Sequence, residues 1–302
     1  MTAKYTFNYL QLPFFHVLMR EPLECGRVGV SKALVLSNEY PLCVAVFWDR
    51  LIGAQGAPPG WVVAASAAVA LLIVASPRLW RMTRIAITIA HESGHAAASL
   101  LSGRKLEGIR LHADTSGETI TRGRRNGPGI VMTALAGYVT PPLLGVGACA
   151  LLAAHRVTLL LALLLLLLVA TLVMVRNWYG VLSVLVTGGA LFAVIWLADP
   201  ALRAAFAYAV AWFLLFGGVR PVAELARTRT KAVRLPPGRR LVSGRPGPGM
   251  SDADQLAFLT RVPAGAWVAL FALVATAAVI FGARLLIPWP AHLALPGSLS
   301  GK

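Results

Sequence analysis

From Val157 to Val175 the chain is almost nothing but Leu, Ala and Val, without one charged side chain. A segment of that length and character has one low-cost environment. As a helix rising about 1.5 Å per residue it crosses a hydrocarbon core of about 30 Å. Lipid offers no partner to backbone N–H and C=O groups, so such a segment must satisfy them internally, and a helix does so. Six further apolar runs repeat the pattern: Trp61–Ser76, Ile85–Ser102, Ile130–Ala154, Tyr179–Ala198, Ala201–Val219 and Ala264–Ile287. The expectation is an all-α polytopic membrane protein with about seven transmembrane helices. Composition agrees: 57% of residues are hydrophobic and 13% charged, against about 45–50% and roughly 25% in soluble domains.

The segments between these runs divide the chain. Residues 1–57 mix Pro, Gly and charge with short apolar runs and read as an irregular N-terminal extension, without the ordered regions of a signal peptide. Residues 58–290 form the membrane-embedded domain, and 291–302 a short tail. Within the domain, 104–126 is the most polar stretch of the middle chain. Leu106–Ala113 and Glu118–Arg122 alternate and are β-branched at the key places, with Asp114-Thr-Ser-Gly117 between them, so a β-hairpin is predicted. Residues 220–263 form a basic loop that leads into a short helix opening at Ser251-Asp252. The three cysteines, Cys25, Cys43 and Cys149, show no metal or disulfide spacing.

The net charge of +16 does not point to nucleic acid, because no aromatic-interleaved basic patch accompanies it. It points to topology. Placing the N-terminus, the hairpin, Arg176 and the 220–263 loop on one side gathers 21 of the 28 Lys and Arg residues there. Basic loops face the cytoplasm, so the expectation is a multi-pass plasma-membrane protein with its N-terminus inside and its C-terminus outside.

One apolar run carries chemistry. Ile85–Leu100 contains His91-Glu92-Ser93-Gly94-His95, an H-E-x-x-H pattern. Residues four apart share a helix face, so both imidazoles can reach one ion. Glu92 then stands beside that ion as candidate general base for a zinc-activated water. The alternative is a metal-free polar cluster between helices, but ionisable groups inside an apolar span favour a site. A catalytic zinc commonly takes three protein ligands. Beyond residue 60 the other acids are Glu107, Asp114, Glu118, Asp199, Glu224, Asp252 and Asp254. Asp252 and Asp254 open a short helix that can fold back on the motif, or that they simply cap. Asn177, in Arg176-Asn177-Trp178-Tyr179-Gly180, can bind a substrate strand, orient a ligand or cap the following span.

Three stretches together carry a resemblance: His91-Glu-Ser-Gly-His-Ala96 within a span, Arg176-Asn177-x-x-Gly180, and Ser251-Asp252-Ala253 before the last span. They resemble the M50 peptidases, and more narrowly the M50B-like branch common in actinobacteria. The similarity covers about residues 48–287. It implies an intramembrane zinc metalloprotease of the site-2-protease type, cutting membrane-protein substrates within or near their transmembrane helices. By this resemblance His91 and His95 are zinc ligands, Glu92 is the base and Asp252 is the third ligand, with Asn177 next. The Asn-Pro…Leu-Asp-Gly stretch of site-2 proteases does not occur here; Arg176-Asn177 falls near its expected place and offers an amide instead of a carboxylate. The hairpin is expected to pair with an unwound substrate strand, because edge addition satisfies backbone groups that lipid cannot. The competing class is a non-proteolytic transporter or scaffold with a vestigial metal site. No oligomeric state is predicted.

Overall fold

A computed structural model describes residue 48 and residues 51–233 and 250–287. The N-terminal extension as far as residue 47, part of the basic 220–263 loop and the 291–302 tail lie outside the described residues. The chain divides into two units, Met1–Gly53 and Ala54–Lys302, and everything below concerns the second.

Among the described residues of this unit, eight helices and one hairpin follow in order. Helices α1 (Gly60–Ala75) and α2 (Pro77–Leu101) lead into strands β1 (Lys105–Leu111) and β2 (Gly117–Arg122). After them come α3 (Pro128–Ala153), α4 (Val157–Met174), α5 (Trp178–Leu197), α6 (Pro200–Val233), α7 (Asp252–Thr260) and α8 (Ala264–Leu286). Five of these, α3 to α6 and α8, are long and apolar enough to cross a membrane, and α1 with α2 forms a pair bent by 101° that raises the number to six. The apolar runs predict about seven, in rough agreement with this number. The difference lies in α1 and α2, which were counted as two crossings. With 16 residues, α1 is only about 24 Å long, short of the core thickness. Its end is fixed by Ser76, which accepts a hydrogen bond from Leu79 N, and by Pro77 at the first position of α2.

Helix α3 is the hub, packing against α2, α6, α7 and α8. Small residues allow this. A Cβ at Gly94 would stand 2.9 Å from the Ala136 carbonyl oxygen, and one at Gly218 would stand 2.8 Å from Pro142 Cδ. Close backbone approach of this kind drives helix association in lipid, where the hydrophobic effect does not. By contrast, α4 turns Leu163, Leu166, Val169 and Val173 outward, as suits a lipid-facing helix.

The predicted hairpin is present. β1 and β2 pair antiparallel from Lys105↔Arg122 to Leu111↔Gly117, with an irregularity between Leu106 and Gly108. Its tight end is held by Asp114, whose carboxylate accepts from Ser116 N at 3.0 Å and Ser116 Oγ at 2.6 Å. The outer edge of β1 is occupied. Ile109 bridges Val175 in parallel, and Arg176 N donates to Ile109 O at 2.9 Å. The hairpin is thereby tied to the α4–α5 connection, with Ile109 and Leu111 fully buried beneath it.

Candidate metal centre

The second half of α2 is buried along nearly its whole circumference, from Ile87 to Ser99. His91 and His95 leave it one turn apart, with their Nε2 atoms 3.1 Å from each other. Asp252, the first residue of α7, brings Oδ2 to 3.1 Å from His91 Nε2 and 3.3 Å from His95 Nε2. Three candidate ligand atoms from positions 91, 95 and 252 thus form a small, nearly equilateral triangle. Zinc–nitrogen and zinc–oxygen bonds of about 2.0–2.1 Å in tetrahedral geometry separate ligand atoms by about 3.3–3.4 Å, so the triangle suits that ion.

The proton inventory supports the same fit. His95 Nδ1 lies 2.6 Å from the Thr133 carbonyl oxygen and donates to it, which leaves Nε2 as a lone pair aimed at the triangle. Asp252 Oδ2 is buried and receives no hydrogen bond, although both imidazoles stand within ion-pair range. Asp252 Oδ2 therefore faces two imidazole nitrogens. With both imidazoles neutral and their Nε2 lone pairs turned to this point, the three atoms are converging acceptors, an arrangement that a cation completes.

Helix α7 holds Asp252 in place through its first turn. Ser251 is the N-cap and accepts from Asp254 N, and Ser251 Oγ donates to Asp254 Oδ2 at 2.6 Å. Arg229 on α6 reaches Asp254 Oδ1 at 2.8 Å. Burial raises the Asp254 carboxyl, while the hydrogen bonds from Arg229 and Ser251 more than offset this and lower it. The two acids weighed from sequence therefore divide the work. Asp254 caps and anchors the helix; Asp252 faces the imidazoles. Below them Ala253 and Leu256, both fully buried, pack with Ala134, Val222 and Phe271.

Glu92 is 3% exposed and points to the hairpin. Thr119 Oγ1 on β2 lies 2.7 Å from Glu92 Oε2 and 3.2 Å from its carbonyl oxygen. A Cβ at Gly117 would stand 2.7 Å from Glu92 Oε1, so only a glycine lets β2 lie this close to the carboxylate. Glu92, His91 and Tyr138 line a cleft of about 170 Å³, roofed by Thr115, Ser116 and Gly117. The Tyr138 ring meets His91 edge-on at 4.8 Å and stacks on Phe271 at 4.9 Å.

Asn177 lies elsewhere. Its Nδ2 donates to Leu111 O at 2.6 Å and its Oδ1 accepts from Leu111 N at 3.1 Å, so both amide atoms serve the backbone of β1. It occupies the N-cap position of α5 without making a side-chain cap. The structure thus brings together His91, His95 and Asp252 with Glu92 beside them, and places Asn177 on the hairpin. Asn177→Ala removes two hydrogen bonds, for a cost of about 1–3 kcal/mol. The expected outcome is faster amide exchange at Leu111 with unchanged bound metal; lost metal at intact exchange would put Asn177 back among the ligands.

Sequence reasoning did not reach Thr119, Thr133, Gly137 or Tyr138. Gly137 has a signal in the sequence, since Ile130–Ala154 is rich in Gly and Ala, as suits close helix packing. A Cβ there would press on both imidazoles, standing 2.5 Å from His95 Cε1 and 2.6 Å from His91 Cε1. Gly137→Ala is accordingly expected to weaken metal binding by about tenfold or more, the range for disturbed ligand orientation, with helix content by circular dichroism preserved. Competition with a chelator measures it, and an unchanged affinity would contradict the packing just described.

Residues 64–282 match the protein family described as Peptidase M50B-like. No curated protein and no solved structure matches the chain.

Proposed function

This chain belongs to the Peptidase M50B-like family, and on that footing we propose that it is an intramembrane zinc metalloendopeptidase acting on membrane-associated protein substrates. The observation that carries the reading is the triangle of His91, His95 and Asp252 with Glu92 buried beside it at the foot of an open strand. His91 Nε2, His95 Nε2 and Asp252 Oδ2 would hold the ion. When bound, zinc supplies a Lewis acid that polarises a carbonyl and makes water a nucleophile near neutral pH.

The remaining steps belong to this chain's own groups. Glu92 takes the proton of the attacking water and passes it to the leaving amine. Thr119 fixes one carboxylate oxygen by its hydrogen bond and leaves the other, Oε1, for that proton. The Thr133 carbonyl holds His95 in the ligating tautomer. Peptide carbonyls inside a helix are already hydrogen-bonded, so a substrate must be extended before it can react. β1 already has the Val175–Asn177 segment at its outer edge, whereas the outer edge of β2 carries no backbone hydrogen bond among the described residues. An extended substrate segment added to β2 would satisfy its own backbone and lie over Glu92.

We assign the hairpin, Arg176 and the 220–263 loop to the cytoplasmic side of the plasma membrane. Their charge supports this, as does the bridge that sets Ile109 against Val175. Five crossings from Pro128 onward then leave the C-terminus outside. Gln55, just before α1, hydrogen-bonds His155 and Thr158 of the α3–α4 connection. This supports an outer position for the start of α1, with the bent α1–α2 pair as a sixth crossing, against the expected inner N-terminus. Cysteine labelling from each side reads this directly; a hairpin labelled from outside would reverse it. The function itself is tested on purified protein in vesicles. One zinc per chain and chelator-sensitive cleavage of a transmembrane substrate are expected, and metal-free protein would favour the scaffold reading.

A further inference from the structure

The end of the cleft away from the metal triangle has no part in the chemistry above, yet the polar groups of two side chains there make no hydrogen bond among the described residues. Trp80, 2% exposed, has an indole N–H with no acceptor. Arg84, one helical turn further along α2 and half-buried, makes no side-chain hydrogen bond or ion pair among the described residues. Its neighbours differ. Arg78 and Arg81 are exposed, as interface arginines are. Arg220, whose guanidinium lies 4.9 Å over the Trp80 ring, is committed to Glu224 and the Val74 carbonyl. Thr88 is also engaged, its hydroxyl 2.8 Å from Thr115 O. Among the described residues, the carboxylate lining the cleft is Glu92, two helical turns away.

A half-buried guanidinium without an ion-pair partner among the described residues, beside a buried indole N–H without an acceptor and with only the neutral Tyr138 hydroxyl coupled to it across the cleft, leaves a deficit of negative charge. We propose that Trp80 and Arg84 form a specificity subsite for an acidic side chain of the peptide substrate. The subsite rests on the peptidase reading and adds its spacing. Arg84 and His91 are seven residues apart on one helix, about 10 Å along the axis. An extended peptide covers that distance in about three residues. The Asp or Glu therefore lies about three residues from the scissile bond. Arginine also suits a planar carboxylate, which it can grip through two parallel hydrogen bonds.

The experiment separates binding from turnover. Synthetic transmembrane peptides of Leu and Ala, carrying one Glu, Gln or Lys stepped through an extended juxtamembrane segment, are titrated against the Glu92→Gln protein in phosphatidylcholine vesicles. The expected result is an affinity preference for Glu over Lys of about tenfold at one position, reversed when Arg84→Glu is added to Glu92→Gln. Equal affinities for the three peptides, absence of binding included, overturn the subsite, as does a preference that survives Arg84→Glu. So does an Arg84→Glu effect confined to partitioning onto anionic phosphatidylglycerol vesicles, which would make Arg84 a headgroup anchor. Cleavage of the same peptides by protein with Glu92 intact is scored separately. A charge-reversed preference without any cleavage leaves the subsite standing and sinks the peptidase reading; cleavage without a preference does the opposite.

Discussion

Glu92→Gln is expected to lower proteolysis by about a thousandfold while leaving the metal bound. The amide keeps the size of the carboxylate, still accepts from Thr119 Oγ1 and still lies against Gly117, so the hairpin has no cause to move. What is lost is proton transfer, which general-base catalysis ordinarily makes worth about 10²–10⁴ in rate. His91, His95 and Asp252 are untouched, and metal analysis should return the same zinc content as the unaltered protein. Cleavage of a transmembrane substrate at the normal rate would remove Glu92 from the chemistry. Loss of cleavage accompanied by loss of zinc would instead mean that the carboxylate is a structural part of the metal site.

Asp252→Ala should act on the ion itself. Disturbing the groups behind a ligand typically costs 10- to 100-fold in metal affinity, so deleting a ligand should exceed about a hundredfold and leave His91 and His95 as a weak bidentate pair. Its neighbour is the control. Asp254→Asn keeps Asp252 and disturbs the contacts with Ser251 and Arg229; it should weaken zinc binding by about tenfold at most, through looser seating of α7. Titrating both proteins against a zinc-competing dye gives the comparison. Full affinity in Asp252→Ala would show that the third ligand comes from elsewhere in the chain.

Gly137→Ala and Asn177→Ala complete the set, because they ask whether the supports of the site matter as much as its ligands. Gly137 decides whether the imidazoles have room, and Asn177 whether β1 stays tied to the α4–α5 connection. One should move metal affinity without unfolding the protein, and the other should move local exchange without moving metal.

Much of this architecture can be read from the residues because the bilayer imposes a length rule. Apolar runs such as Val157–Val175 had to become helices, since no other single segment satisfies its backbone in lipid. The hairpin followed from alternation in Leu106–Arg122. The α1–α2 pair was harder. Trp61–Ser76 is apolar enough for a crossing but too short, and apolar content alone does not separate a crossing from half of a bent pair. A 101° bend at Ser76-Pro77 is set by how the two helices pack on α6 and α3, which is a long-range matter.

The same division holds at the site. Local sequence determines that His91 and His95 share a face and that Glu92 adjoins it, because a helix repeats every 3.6 residues whatever surrounds it. It does not determine that Asp252, far along the chain, reaches the two imidazoles, or that Asn177 spends both amide atoms on Leu111. Those outcomes rest on α7 folding back onto α3 through Ala253 and Leu256, and on β1 lying against Val175. The helical motif supplies the two imidazoles and the carboxylate proposed as ligands and base. Only the tertiary structure supplies the third candidate ligand, Asp252, the Thr133 carbonyl that accepts from His95 and the strand above Glu92, because each comes from packing between segments whose separation in sequence carries no periodic signal.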